Sequence, residues 1–291
     1  MKAKCIGKTL KGTPCNNYGV TDQMCKRHYA KHVEEQNRKE TITITFSEAV
    51  ENHKGMEIIG EKALEGFSCA DLQTYKITFE KMGVVCEYCD LVPYLDQDVL
   101  DVPFEGDAAI LILRNVLPAF KIDAKALWQE IWGLDWDEKA FMYGKVVNKN
   151  ARHNLCFADF DRAPDYEEGK GTVVSFEALP LLSICREMLQ QHLGDKATKL
   201  YAEGNLYYDH KKCFIGWHGD TERRKVVALR LGEAFPLYFR WYYRSNTAGN
   251  IARFMINGGD LYIMSDLATG SNWKKKIIPT LRHSASTIVI E

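Results

Sequence analysis

Beyond Lys199 the chain breaks into short apolar runs separated by Gly, Asn, Asp or Pro: NLYYD, CFIGWH, VVALRLG, PLYFRWYYR, IARFMIN, GDLYIMS and STIVIE. Runs this short, rich in Val, Ile, Tyr, Phe and Trp, suit strands better than helices. Their number and regular punctuation predict an antiparallel sandwich or barrel. Upstream, DAKALWQEIWGL repeats apolar residues at helical spacing. EALPLLSICREMLQQHLG does the same, with Leu181, Ile184, Met188, Leu189 and Leu193 along one side. The expected class is therefore α+β, with helices flanking a strand-built core.

A chain of 291 residues, 46% hydrophobic and 26% charged, holds ample material for such a core. No run of ~18 apolar residues occurs, so no helical membrane span is expected. The start, MKAKCIGKTLKG, lacks the apolar stretch of a secretory signal. Nine cysteines without such a signal suggest a reducing compartment, cytosol or nucleus, with thiols free or on metal. Net charge is only −1 but is unevenly spread: +5 over residues 1–40, −10 over 41–110 and +4 over 111–291. These shifts divide the chain into a basic head, an acidic accessory α+β segment and a main domain. The basic head is compatible with a polyanionic partner such as nucleic acid.

In the head, Cys5, Cys15, Cys25 and His28 are spaced C-x9-C-x9-C-x2-H. A segment this short cannot bury a core, so a tetrahedral Zn(II) would supply its folding energy. His32, one helical turn beyond His28, competes as fourth ligand. The accessory segment opens on TITITF, which alternates like a strand, and continues with DLQTYKITFEKMG, which reads as helix and turn. Its Cys86 and Cys89 form a lone C-x2-C pair, expected to be buried thiols and not a metal site.

The sharpest chemistry lies in GWHGDTERRK. Residues i and i+2 of an extended segment face the same way, so His218 and Asp220 can hold one ion. A facial site of two histidines and one carboxylate leaves the opposite metal positions open. Only one histidine follows His218, namely His283 in TLRHSAST, so His283 must complete the site.

Asn205 and Tyr207 (N-x-Y), His218 and Asp220 (H-x-D), the strand VVALRLG, then GDLYIMS and the late His283 follow one another in this order. The ordered set resembles the AlkB-like branch of the 2-oxoglutarate/Fe(II) dioxygenases over roughly residues 110–291. The resemblance implies a double-stranded β-helix (jelly roll) and an enzyme using Fe(II), 2-oxoglutarate and O2. His218, Asp220 and His283 would ligate iron, and Asn205 and Tyr207 would contact 2-oxoglutarate. One element departs from the pattern. AlkB-like proteins carry R-x-N-x-T-x-R a dozen or more residues after the distal histidine, and its first Arg grips the C5 carboxylate. Eight residues follow His283 here, and none is basic. An arginine of another strand is then expected to take that role: Arg230 first, Arg240 second and Arg282 third.

The implied reaction is hydroxylation or oxidative demethylation of a modified base in nucleic acid. Arg223 and Arg224, after the H-x-D, are expected near the mouth within reach of phosphate. Arg152, His153 and Asn154 fall where the family has substrate-covering loops. Two other readings stay open: a protein or nucleotide hydroxylase of the same class, and a catalytically inactive zinc-finger protein that binds nucleic acid.

Overall fold

The computed structural model describes residues 4–9, 13–19, 23–29 and 39–287. The chain divides into two compact units, Met1–Lys39 and Glu40–Glu291. The first has isolated bridges Lys4↔Tyr18 and Lys8↔Pro14 and one helical turn over 26–29. The predicted alternative ligand His32 lies outside the described residues.

The second unit is mixed α+β and dominated by sheet. Its strands run β1 (Thr41–Ser47), β2 (Ala49–Glu51), β3 (Ile58–Gly60), β4 (Val85–Asp90), β5 (Ala109–Arg114), β6 (Lys139–Met142), β7 (Lys145–Asn148), β8 (His153–Ala158) and β9 (Val173–Ser175). They continue with β10 (Tyr201–Tyr207), β11 (Phe214–His218), β12 (Val226–Gly232), β13 (Phe235–Tyr243), β14 (Asn246–Thr247), β15 (Ala252–Ile256), β16 (Leu261–Met264) and β17 (Thr280–Ser286). The helices are α1 (Cys69–Lys81), α2 (Ala124–Trp132) and α3 (Pro180–Leu193). A large sheet has the order β4-β5-β16-β12-β1-β10-β8-β9, and a smaller one β11-β17-β13-β14 with β15 also on β13. Among the described residues, no helix is long and apolar enough to cross a membrane.

All three helices cover one face of the large sheet. α1 is started by a reciprocal cap: Asp71 N–H donates to the Ser68 hydroxyl at 3.0 Å, and Ser68 N–H to the Asp71 carboxylate at 2.7 Å. Its Leu72 and Phe79 meet Ile42, Ile44 and Phe46 of β1 in one apolar cluster with Leu127 of α2 and Leu189 of α3. On α3 the buried residues are Leu182, Cys185, Leu189 and Leu193. The stripe is thus rotated from the predicted one, and Ile184 is left 38% exposed. The other face of the large sheet packs on the smaller sheet, where Ala228, Tyr262 and Met264 join Leu237, Phe239 and Trp241.

One expectation is corrected. Residues 41–110 are no separate module, because β1, β4 and β5 are built into the large sheet. β1 lies at its centre, paired antiparallel on one side with β10 and on the other with β12. Burial on both sheet faces explains this placement: Ile42, Ile44 and Phe46 are fully buried and could not stand on an accessory surface. Among the described residues the last strand is Thr280–Ser286, and the predicted run STIVIE lies mostly outside them, at residues 288–291. Cys86 and Cys89 sit half-buried on β4 and belong to neither cluster of metal-capable side chains among the described residues.

Because β1 is central, Ile44→Ala should lower the stability of the whole second unit by about 2–5 kcal/mol. Chemical denaturation followed by tryptophan fluorescence should still give one transition. A separate early transition confined to residues 41–110 would contradict the single unit.

Candidate functional site

In the first unit the sulfurs of Cys5, Cys15 and Cys25 and a ring nitrogen of His28 lie within 4.8 Å of one another. The three cysteines are buried although almost nothing apolar surrounds them. Cys5 Sγ stands 3.2 Å and Cys25 Sγ 3.5 Å from His28 Nδ1. Backbone N–H groups of Gly7 and Asn17 donate to Cys5 Sγ and Cys15 Sγ at 3.4 and 3.5 Å, and that of Cys25 to Cys5 Sγ at 3.1 Å. Such donors favour thiolate, the form that ligates metal. Gly7 is required by the close approach, since a Cβ there would lie 2.5 Å from the His28 ring. Three sulfurs and one nitrogen in a closed set form a metal-capable cluster of the type that suits Zn(II).

In the second unit, antiparallel pairing of β11 with β17 sets His218 directly opposite His283. An irregularity in the register between Ile215 and His218 turns the end of β11 toward the interior. Asp220 follows in the loop, its N–H bonded to the Thr269 carbonyl at 3.0 Å. The intervening residue must be small: a Cβ on Gly219 would lie 2.3 Å from the Gly270 carbonyl oxygen. One ligand atom from each of His218, Asp220 and His283 lies within 4.8 Å of the others. Asp220 Oδ1 is 3.7 Å from His218 Nε2 and 3.8 Å from His283 Nε2.

The His218 imidazole is oriented for ligation. His218 Nδ1 is 2.7 Å from the Gly216 carbonyl oxygen, which can only accept, so Nδ1 carries the proton and Nε2 presents its lone pair. Burial pushes the pKa of both histidines down, that of His283 well down, with neighbouring His218 adding to the effect. Both are therefore neutral at neutral pH.

Beside these three residues the inner faces of β10, β1 and β12 form a polar floor. Thr43 is in register with Asn205 on one side and Arg230 on the other, and Thr45 with Glu203 and Ala228. Arg230 is fully buried and donates through Nη1 to the Thr43 hydroxyl. Its Nε and Nη2 have no hydrogen-bond partner among the described residues. Burying a guanidinium with open donors is costly unless an anion joins it. The pocket it lines also contains His218, Asp220, His283, Asn205 and Tyr207.

The chain is similar to an uncharacterized protein of Acanthamoeba polyphaga mimivirus, with 43% identity over 246 residues, 84% of this chain and 95% of the viral one. It belongs to the family of that mimivirus protein. No family model matches the chain.

Several predicted site residues stand elsewhere. Arg240 and Arg282 are cross-strand neighbours on β13 and β17. Arg282 alternates with inward-facing His283, so both arginines lie on the outer face of the small sheet. There Arg282 stacks on Tyr242 at 3.8 Å and stands 5.0 Å from the Trp273 ring. Arg223 is 5% exposed, a buried residue among carboxylates and not a phosphate contact at the mouth. Arg224 is engaged by Asp266. His153 packs on Tyr208 with ring centroids 4.4 Å apart. Asn154 is fully buried and donates to Asn205 Oδ1 at 2.8 Å, behind the pocket wall. Arg152 does reach the site, donating to the same oxygen at 2.6 Å and lining the mouth. Sequence reasoning missed Thr43, Thr45 and Glu203. The alternation of TITITF already placed the threonines on one face, but not against which neighbours.

Removing one sulfur should empty the first cluster. Cys15→Ser is expected to drop bound zinc from about one equivalent to near none, measured by elemental analysis of the purified chain. Retention of full zinc would overturn the ligand set.

Proposed function

We propose that the second unit is a 2-oxoglutarate- and Fe(II)-dependent dioxygenase on a double-stranded β-helix of the AlkB-like type, and that the first unit holds Zn(II). The observation that carries this reading is the joint presence, in one pocket, of the His218–Asp220–His283 cluster and the open donors of Arg230. Two neutral imidazoles and one carboxylate suit a divalent ion with open positions. A buried cation on the facing strand suits the far carboxylate of a dicarboxylate bound at that ion.

Strand order supports the fold. From β10 onward the chain passes repeatedly between sheets: β10, β12 and β16 lie in the large one, and β11, β13, β14, β15 and β17 in the small one. A double-stranded β-helix seats its closing strand between its first and third, and here β1 fills the place between β10 and β12. The closing strand thus comes from before the others in sequence. This accounts for the departure from the AlkB-like pattern after His283, since that strand brings threonines and Arg230 supplies the positive charge.

When bound, iron with 2-oxoglutarate and O2 would supply the oxidising power to hydroxylate a C–H bond, with release of succinate and CO2. Hydroxylation of an N-methyl group leads on to loss of formaldehyde. The chain's own residues do the rest. His218, Asp220 and His283 would hold the metal from one side. Arg230, steadied by Thr43, would orient 2-oxoglutarate by its C5 carboxylate, and Asn205 and Tyr207 would line its path. We assign a modified base in nucleic acid as substrate. The family resemblance supports this, as do Lys54, Arg152 and Lys274 around the mouth, with both lysines 5.8 Å from the Trp273 ring centroid.

With Fe(II), 2-oxoglutarate and air, the purified chain should release succinate, and methylated oligonucleotides should raise the rate. His283→Ala should abolish release; no succinate from the wild type would reject the activity. Stimulation only by peptides or free nucleotides would reject the substrate. Arg230→Met should weaken 2-oxoglutarate binding about 10- to 100-fold, measured by calorimetry. Arg240→Met and Arg282→Met should leave that affinity unchanged, because their side chains face away from the pocket.

A further inference from the structure

The loop after Asp220 contains a guanidinium that the proposed reaction does not use. Arg223 comes three residues after Asp220 and is buried in the wall shared by the pocket and its mouth. Its Nε donates to Glu222 Oε1 at 2.9 Å and stands at ion-pair distance, 3.5 Å, from Asp220 Oδ2. Its Nη2 lies 2.6 Å from Glu203 Oε2 and 2.7 Å from Glu222 Oε1. The two oxygens of Asp220 are therefore divided. Oδ1 faces both imidazoles, and Oδ2 faces Arg223.

The contacts continue along the wall. Glu203 accepts from Arg223 with one oxygen and from Asn205 Nδ2 with the other, at 2.9 Å. Asn205 in turn accepts from Arg152. An ion pair followed by hydrogen bonds thus connects the carboxylate of the metal-capable cluster to the amide lining the pocket. The order is Asp220, Arg223, Glu203, Asn205, Arg152.

Resting on the metal-site reading above, we infer that Arg223 is the positioning residue of this centre. It fixes the rotation of Asp220 so that a single oxygen meets the metal, and ties that oxygen's orientation to Asn205 through Glu203. The terminal torsion of an aspartate is soft, so an unheld carboxylate would share both oxygens or turn away. A planar guanidinium fork can bridge two carboxylates at fixed angles, which an ammonium cannot. Three carboxylates face this one guanidinium, a formal excess of two negative charges that a divalent cation cancels.

Charge alone predicts the opposite of positioning. A cation at Nε repels a metal at Oδ1, so by Coulomb's law its removal should tighten metal binding. Loss of positioning should weaken it, on the order of 10- to 100-fold as for other groups that orient a metal ligand. The test is a titration of the full, zinc-loaded chain with Mn2+ alone, followed by electron paramagnetic resonance of free Mn2+. Mn2+ prefers oxygen and nitrogen donors and leaves the thiolate cluster undisturbed. Arg223→Gln and Arg223→Lys should both bind Mn2+ about 10- to 100-fold more weakly than wild type. Arg223→Lys keeps a cation among the carboxylates and, with near-ultraviolet circular dichroism as the fold control, carries the test where Arg223→Gln does not fold. Wild-type affinity in Arg223→Lys, or tighter binding in Arg223→Gln, would overturn the inference while leaving the metal site standing. Wild type binding no better than His283→Ala would instead remove the metal site and the inference with it.

Discussion

The second unit depends on one strand being paired along both edges. β1 enters between β10 and β12 and supplies the backbone partners that would otherwise be missing at the middle of the large sheet. Its two faces do different work. Ile42, Ile44 and Phe46 are fully buried under the helices, each contributing about 1.5–3 kcal/mol by burial. Thr41, Thr43 and Thr45 face the other way, and Thr43 sets its hydroxyl between Arg230 and Asn205. A slip of one residue would turn isoleucines into the pocket and hydroxyls into the core, so the register is held by both faces at once.

That strand also decides which charge can be buried. Arg230 finds a hydroxyl at Thr43, 187 residues away in sequence, and little else. A neutral hydroxyl steadies the guanidinium without neutralising it, which leaves its remaining donors available. Had β1 carried an aspartate at position 43, Arg230 would be paired and inert toward ligands. Arg223 shows the contrasting case, buried with carboxylates on several sides. Two buried arginines in one pocket wall thus differ in their surroundings: among the described residues, Arg230 has no carboxylate beside it and two open donors, whereas Arg223 stands among three carboxylates and keeps only Nη1 open.

The parts of this arrangement that were legible in the sequence are those carried by local spacing. His218 and Asp220 share a strand end, the apolar rhythm of α1, α2 and α3 marks helices, and the cysteines of the head are evenly spaced. His283 was found by elimination, as the sole histidine after His218. Strand parity would also have removed two of the three candidate arginines. Arg240 falls between Phe239 and Trp241, both buried, and Arg282 directly precedes His283, so neither can share the inner face. The place of β1 was not legible, because alternation tells which residues share a face but not which strands lie beside them. Arg223 was misread for a related reason. A charged turn in sequence looks solvated until Glu203, from a different strand, folds over it.

The two clusters of metal-capable side chains differ in hardness and in closure, and the difference governs what each can do. Cys5, Cys15, Cys25 and His28 offer three soft sulfurs and one imidazole nitrogen, enough to complete a tetrahedral shell and leave no position for a reactant. Such a site can stabilise its segment but cannot bind substrate at the metal. His218, Asp220 and His283 offer three harder donors in a pocket that also contains Arg230 with its free donors, and a three-donor set would leave positions on a metal for a reactant. The thiolate set suits soft or borderline ions such as Zn(II), whereas two imidazoles and a carboxylate suit harder divalent ions and Zn(II) alike. Donor type and count therefore separate what each site can do more sharply than which ion it takes.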